Sequence, residues 1–174
     1  SNLAAPVLAG TWSTPSPVYD VAICDSFAIV ANWGALQVVN IAHPPVLPLV
    51  ATLSAPFLYD VQVRNHTALF GDDDSLLVVD LHNIPSLPVI GKVHTRYVVY
   101  DVAIAGEYAY VANLNKGLHV VDVSDPTNPQ MVGQHCSYSA SDVVVRGNYA
   151  YTVDHGLNRV RVYDITQPET PVPV

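Results

Sequence analysis

Short apolar stretches separated by turn-forming residues run along the whole chain. The stretches are rich in Val, Ile, Leu and Tyr, and Gly, Asn, Asp or Pro bounds each of them. This pattern is typical of β-strands, because β-branched and aromatic side chains fit a pleated backbone. No window of ten or more residues shows a clean 3.6-residue period, so we expect very little helix.

The stretches recur as a repeat. Four segments align on a shared aspartate, and these aspartates are spaced 40, 41 and 41 residues apart. The segments are YDVAICDSFAIVAN (19–32), YDVQVRNHTALFGD (59–72), YDVAIAGEYAYVAN (100–113) and SDVVVRGNYAYTVD (141–154). A second block follows each segment and reads LQVVNI, LLVVDL, LHVVDV and VRVYDI. A third, weaker block precedes each unit, as in PVLAGT and PQMVGQ.

The repeat predicts a β-propeller. Three strands per unit, with the strand that opens the next unit, give four strands per roughly 40 residues, the length of one blade. Both sides of the first strand are mainly apolar, so both must be covered, and blades stacked on one another cover both. We predict an all-β chain of four-stranded antiparallel blades, about four in number. It forms a single propeller domain or a propeller segment over 1–174, with repeats at approximately 6–45, 46–86, 87–128 and 129–170.

The second strand of every repeat carries an alanine at the same offset. A larger side chain there would hold neighbouring blades apart, so we expect each alanine to lie where two blades meet. Replacing one with Leu would overpack that contact at about 1–3 kcal/mol. The four positions are Ala28, Ala68, Ala109 and Ala150.

The third repeat, DVAIAGEYAYVANLNKGLHVVDVSDPTNP (101–129), closely resembles the repeat of the LVIVD family, with weaker copies on either side. The resemblance implies a β-propeller. It also implies an extracellular, cell-surface or periplasmic protein, and it transfers no catalytic residue. The second repeat departs most from the pattern, with Thr67 where the others have Phe or Tyr.

The sequence leaves the number of blades in the complete propeller open. A fourth-strand block begins at Pro6 and could complete the last blade, which would close a four-bladed ring. The residues at 171–174, PVPV, look like the beginning of another fourth strand. We favour part of a larger propeller, or half of one completed by a partner, over an isolated ring. An open array would leave apolar faces in water, at about 25 cal/mol per Å².

Charge excludes one class of partner and points to one surface. The formal net charge is −8, which argues against nucleic acid, since a phosphate-binding surface needs a surplus of Lys and Arg. Polar residues and prolines interrupt every apolar run, so no transmembrane segment is expected. No charged residue occurs from Ser26 to Tyr59. Large apolar patches mark interfaces, so we expect the first blade to pack against another subunit or against the missing remainder of the propeller.

The four repeat aspartates, Asp20, Asp60, Asp101 and Asp142, begin the innermost strands and should converge near the central channel. Converging carboxylates could bind a cation and would raise one another's pKa. The structural alternative, which we favour, is that each carboxylate accepts backbone N–H bonds at the start of its strand.

Asp72, Asp73 and Asp74 form the densest acidic cluster and are weak candidates for Ca²⁺. Their spacing lacks the alternation and the glycine of a calcium loop, which favours a solvated turn and no resident cofactor. Cys24 and Cys136 are expected near opposite ends of the blades, as two separate thiols.

The loops that lead into the innermost strands are rich in aromatic residues. Phe57, Tyr97 and Tyr138 vary in position between repeats, and with Trp33 they are the candidates for contact with a protein or glycan partner. Aromatic side chains supply contact area with little entropy to lose.

No nucleophile elbow, zinc-protease motif, phosphate-binding loop or dinucleotide fingerprint is present. We therefore predict a non-enzymatic interaction or structural module that binds its partner through the aromatic loops or the uncharged first blade. The alternative is a hydrolase with a metal-assisted site at the central channel.

Overall fold

The computed structural model describes residues 5–136, 139–154 and 156–174, and these residues contain strands and no helix. Within the described ranges, sixteen strands form four four-stranded antiparallel sheets, in each of which the strands lie in chain order. This confirms the predicted all-β propeller architecture.

We number the sheets as blades. Blade 1 contains β1 (Val18–Cys24), β2 (Phe27–Asn32), β3 (Gly34–Asn40) and β4 (Leu49–Ala55); blade 2 contains β5 (Val61–Arg64), β6 (Thr67–Asp72), β7 (Ser75–Asp80) and β8 (Val89–His94). Blade 3 contains β9 (Val99–Ala105), β10 (Tyr108–Asn113), β11 (Gly117–Asp122) and β12 (Gln130–Cys136); blade 4 contains β13 (Asp142–Arg146), β14 (Tyr149–Asp154), β15 (Arg159–Asp164) and β16 (Val172–Pro173).

Tight turns join the first two strands of every blade. The first turn residue has a positive φ in all four blades, between 48° and 58°. Asn, Asp and Gly tolerate this left-handed conformation best, because their small or absent side chains avoid the steric clash. The sequence places one of these residues at each turn: Asp25, Asn65, Gly106 and Gly147.

Apolar side chains alternate between the two faces of each blade. We call the face toward the preceding blade the leading face and the face toward the next blade the trailing face. In blade 2, Ala68 and Phe70 on the leading face pack with residues of blade 1. Leu69 and Leu76 on the trailing face pack with residues of blade 3. A third core joins blades 3 and 4. The hydrophobic core therefore consists of layers between blades.

The four repeated alanines are all buried, and three of them lie where two blades meet, as predicted. Ala68, Ala109 and Ala150 are 0% exposed, and each belongs to a different core between two blades. Ala28 lies on the leading face of blade 1, where Trp12 packs against the same cluster. Small side chains at this position let neighbouring blades approach closely.

The innermost strands contact one another in chain order, β1 with β5, β5 with β9 and β9 with β13. Strands β13 and β1 are not among the strand pairs in close contact. The block at Pro6 forms no strand, so the four-bladed ring that we considered from the sequence is not closed by it. The fourth strand of blade 4 is instead β16, which pairs with Tyr163 and Asp164.

Two further features bear on function. No described helix is long and apolar enough to cross a membrane. Cys24 is buried, Cys136 is exposed, and both are free thiols, as expected from their places in the repeat.

Candidate functional site

Five aromatic side chains form a connected row at the end of the blades where the innermost strands begin. Tyr59 stacks on Tyr100, with ring centroids 4.5 Å apart and 10° between the ring planes. Tyr59 also meets Tyr19 at 5.2 Å and Trp33 at 5.8 Å, both edge to face. Trp33 meets Phe57 edge to face at 5.3 Å. Such tilted and offset arrangements are the favourable ones for aromatic rings. We call these residues the aromatic row.

The antiparallel sheets explain why the row assembles. Tyr19 lies near the start of β1, and β2 returns the chain to the same end, where Trp33 forms the turn into β3. The backbone N–H of Trp33 donates to the Pro17 carbonyl oxygen at 3.0 Å, which fixes this turn. Strand β4 then brings Phe57 to the same end. Three members of the row remain substantially exposed: Tyr19 at 46%, Trp33 at 44% and Phe57 at 39%.

The structure brings together two of the four aromatic candidates. Trp33 and Phe57 are neighbours in the row. Tyr97 is exposed but makes no ring contact with the described row; the Lys116 ammonium lies 5.4 Å from its ring centroid. Tyr138 lies outside the described residues. The sequence therefore identified part of this surface, and the repeated tyrosines complete it.

The repeat aspartates join consecutive blades. Three of the four carboxylates accept a hydrogen bond from the backbone N–H of the valine that follows the next repeat's aspartate. The sequence predicted bonds to backbone N–H groups, and the structure shows that these bonds cross from one blade to the next. The three bonds are Val61 N–H to Asp20 at 3.1 Å, Val102 N–H to Asp60 at 3.0 Å and Val143 N–H to Asp101 at 2.6 Å.

The same carboxyl groups lie close enough to perturb one another. Burial, the charge of Asp101 and contact with Asp20 raise the pKa of Asp60 to about 9. Burial raises the pKa of Asp101 to about 6, against the opposing hydrogen bond from Val143 and with a further contribution from Asp142. A protonated Asp60 carries no charge at neutral pH, so the carboxyl groups can pack together without an ion. This arrangement favours the structural interpretation of the aspartates over a cation site.

The acidic cluster begins at Asp72, the last residue of β6, and continues with Asp73 and Asp74 in the turn into β7. The Asp74 carboxylate accepts from the Ser75 hydroxyl at 2.7 Å. The backbone carbonyl oxygen of Asp74 accepts a hydrogen bond from the Thr95 N–H, also at 2.7 Å. Asp74 thereby ties the turn to the loop after β8, which favours the interpretation as a turn over a calcium site.

Residues 17–53, 98–136 and 138–172 match the family described as the LVIVD repeat, and together they make up more than half of the sequence. The chain belongs to the LVIVD-repeat family. The unmatched interval between the first two of these segments contains blade 2, the repeat whose sequence departs most from the LVIVD pattern. No curated protein matches the chain.

A solved structure supports the LVIVD-repeat fold. The chain is similar to the computationally designed Ika4 protein, with a TM-score of 0.71 over 92% of this chain and 98% of Ika4. The two sequences are 11% identical, so the similarity concerns the fold alone.

Sequence reasoning missed two polar groups of this LVIVD-repeat chain. Cys24, Asp25 and His66 place one potential metal-ligand atom each within 4.8 Å of one another. The His66 ring nitrogen lies 2.8 Å from the Asp25 carboxylate and joins the turns of blades 1 and 2. Arg64 and Glu107 join the turns of blades 2 and 3 in the same way, at 3.1 Å. The pair is therefore explained as a contact between blades, without an ion.

The second group is His119, on the leading face of blade 3. It is 4% exposed, and neither ring nitrogen has a hydrogen-bond partner among the described residues. Burial lowers its pKa to about 4, and the charges of Lys116 and Arg96 add to this. Blade 2 has Leu77 at the equivalent place. A single histidine in an apolar block gives no sequence signal for this burial.

Proposed function

We propose that this LVIVD-repeat chain is a non-enzymatic propeller module that binds a protein partner through the aromatic row. The observation that carries the proposal is the row itself, in which five aromatic rings contact one another and three of them are between 39% and 46% exposed. Exposed aromatic clusters on a rigid scaffold are typical of protein interfaces, where Trp and Tyr supply most hot spots.

Preorganisation strengthens this proposal. Trp33 packs edge to face on both Phe57 and Tyr59, so its indole ring is already oriented before a partner arrives. Restricting a side chain before binding saves about 0.5–1.5 kcal/mol of ordering cost at the interface. The row also combines apolar ring faces with tyrosine hydroxyl groups, which lets a partner make both apolar and hydrogen-bonding contacts.

The chemistry of the channel gives less support to a metal-assisted hydrolase. Three of the four repeat aspartates already accept backbone N–H bonds from the next blade. A metal ligand role would have to compete with these bonds. We therefore place the functional surface at the aromatic row.

The proposal is tested by affinity capture with matched variants. The immobilised chain, Trp33→Ala and Phe57→Ala are compared with Tyr149→Ala, in which an exposed tyrosine is removed from the opposite end of the blades. Partners are identified by mass spectrometry, and their affinities are measured with purified protein. Loss of a hot spot costs about 2 kcal/mol or more, a change of about 30-fold in affinity.

We expect one protein to be retained by the wild type and by Tyr149→Ala and lost with Trp33→Ala or Phe57→Ala. Equal retention of the same partner by the immobilised wild type and all three variants would contradict the proposal. Binding to a glycan array with loss in the same two variants would assign the row to a carbohydrate instead of a protein.

We propose further that the module works outside the cytoplasm, at the cell surface, in the periplasm or in the extracellular space. Membership of the LVIVD-repeat family supports this location. Fractionation of cells that produce the full gene product, followed by immunoblotting, tests it. Recovery in the cytoplasmic fraction alone would contradict it.

A further inference from the structure

The leading face of blade 1 exposes positions that every later blade buries. Val21 is 54% exposed, whereas its equivalents Val61, Val102 and Val143 are at most 2% exposed. Ile23 is 58% exposed. The equivalents are buried because the trailing face of the preceding blade covers them. The surface that fits the leading face of blade 1 is therefore the trailing face of a blade of this family.

The chain carries one such uncovered trailing face, on blade 4. Val160 is 64% exposed, whereas its equivalents Leu36, Leu76 and Leu118 are 0% exposed. Val144 in β13, the innermost strand of the same blade, is 58% exposed. The exposed leading face of blade 1 and the exposed trailing face of blade 4 thus correspond to the two surfaces that meet at each of the three contacts between consecutive blades.

The hydrogen bonds between blades stop at the same two ends. Asp20, Asp60 and Asp101 each accept the N–H of a valine in the next blade. Asp142 occupies the equivalent place in blade 4, and Val21 follows the repeat aspartate of blade 1. Contact between the two end faces would bring the Val21 N–H to the Asp142 carboxylate and continue the series.

Residues that precede β1 pack on the outer part of the leading face of blade 1. A Cβ on Gly10 would lie 3.1 Å from the Pro45 Cα, much as one on Gly133 would approach the Pro168 carbonyl oxygen of the next blade. Trp12 packs on the leading face of blade 1. The segment around Gly10 and Trp12 therefore lies where the outermost strand of a preceding blade would lie.

We propose that the leading face of blade 1 binds the trailing face of blade 4 of a second copy, so that two copies close into one ring. Propellers contain about four to eight blades, and two copies of this four-bladed array supply eight. The contact is head to tail, and a head-to-tail contact that closes yields a finite ring. The Val21 N–H donates to Asp142 of the second copy. This surface is separate from the aromatic row, so either proposal can fail alone.

The mass of the chain in solution tests the proposal. Sedimentation equilibrium or light scattering between about 1 and 100 µM is expected to give twice the 18.7-kDa chain mass at the upper end. Val21→Asp and Val160→Asp each place a charge in the contact. Since burying an unpaired charge costs several kcal/mol, each should raise the dimer dissociation constant at least tenfold. Asp142→Ala removes the hydrogen-bond acceptor and should weaken the dimer as well.

The matched control is Val89→Asp, because Val89 is 46% exposed in β8 of blade 2, a blade that has a neighbour on either side. It should leave the mass unchanged. Circular dichroism and melting curves show whether each variant folds. For the wild type, amide exchange at Val21 gives a second measurement, with protection expected in the dimer.

A monomer at 100 µM would overturn the proposal, and so would a dimer that Val21→Asp and Val160→Asp leave intact. A monomer with a protected Val21 amide would show that the ring closes within one chain, which also overturns it.

Discussion

Replacing Gly91 with alanine tests how closely the blades approach one another. Gly91 lies in β8, and a Cβ built on it would lie 2.2 Å from the Pro126 carbonyl oxygen and 2.8 Å from Pro129 Cδ, both in blade 3's outer loop. Real Cβ atoms do not come within 3.0 Å of backbone, so blade 2 or that loop must move. Ala51 occupies the equivalent position in the fourth strand of blade 1. A residue with a Cβ therefore fits between blades 1 and 2, and the very close approach is found at the contact between blades 2 and 3.

The magnitude follows from two opposing effects. Overpacking of a close contact costs about 1–3 kcal/mol, and the clash with backbone places Gly91→Ala at the upper end of this range. Removing a glycine from a strand returns about 0.5–1 kcal/mol of chain entropy. The net loss in the free energy of unfolding is therefore about 2 kcal/mol, which lowers the melting temperature of a chain of this size by about 4–8 °C.

Thermal and urea unfolding monitored by circular dichroism measure this loss. Gly156→Ala is the matched control, because the nearest atom to a Cβ at this position is 3.6 Å away. The control should melt within about 1 °C of the wild type or slightly above it. If Gly91→Ala melts together with Gly156→Ala, the reasoning from close blade contact is refuted.

Three further substitutions test the layers between blades. Ala109→Leu should lower the free energy of unfolding by about 1–3 kcal/mol, and a melt equal to wild type would contradict the buried placement. The pKa of Asp60 in the folded chain is raised to about 9. Its contribution to the free energy of unfolding is therefore complete below the pKa of the unfolded chain, about 4, and is lost as pH rises toward 9. Urea unfolding should therefore show a lower free energy of unfolding at pH 8 than at pH 5, and this dependence on pH should be weaker in Asp60→Asn. An equal dependence on pH in the wild type and the variant would argue against the raised pKa. His119→Leu, which copies Leu77 of blade 2, should stabilise the chain by about 1–3 kcal/mol, since two unpaired buried nitrogens are removed. It should also abolish the loss of stability that a lowered His pKa causes as pH falls from about 6.5 toward 4; a destabilised variant would show that His119 has a partner in solution.

Most of the fold could be predicted from the sequence repeat. The spacing of the aspartates, the turn residues such as Asn65 and Gly106, and the constant alanines predicted strands, hairpins and buried contacts that the structure confirms. These features are readable because they depend on local backbone geometry and on alternation within one strand.

The functional surfaces were less readable, because they depend on contacts between blades. Sequence showed that Asp60 is repeated, but not that its carboxylate bonds to Val102 in the next blade. Trp33 and Phe57 come from different loops, and only the return of β2 and β4 to one end brings their rings together. The segment at Gly10 matches an outer strand in sequence, yet it lacks the neighbouring strand that would make it one.

Amide hydrogen exchange by NMR tests most directly whether the repeat aspartates hold consecutive blades together. The Val61, Val102 and Val143 amides, which donate to Asp20, Asp60 and Asp101, should exchange slowly. In Asp101→Ala, the Val143 amide should exchange faster while the Val61 amide stays protected. If the Val143 amide keeps its wild-type protection in that variant, the bond between blades does not exist in solution as described.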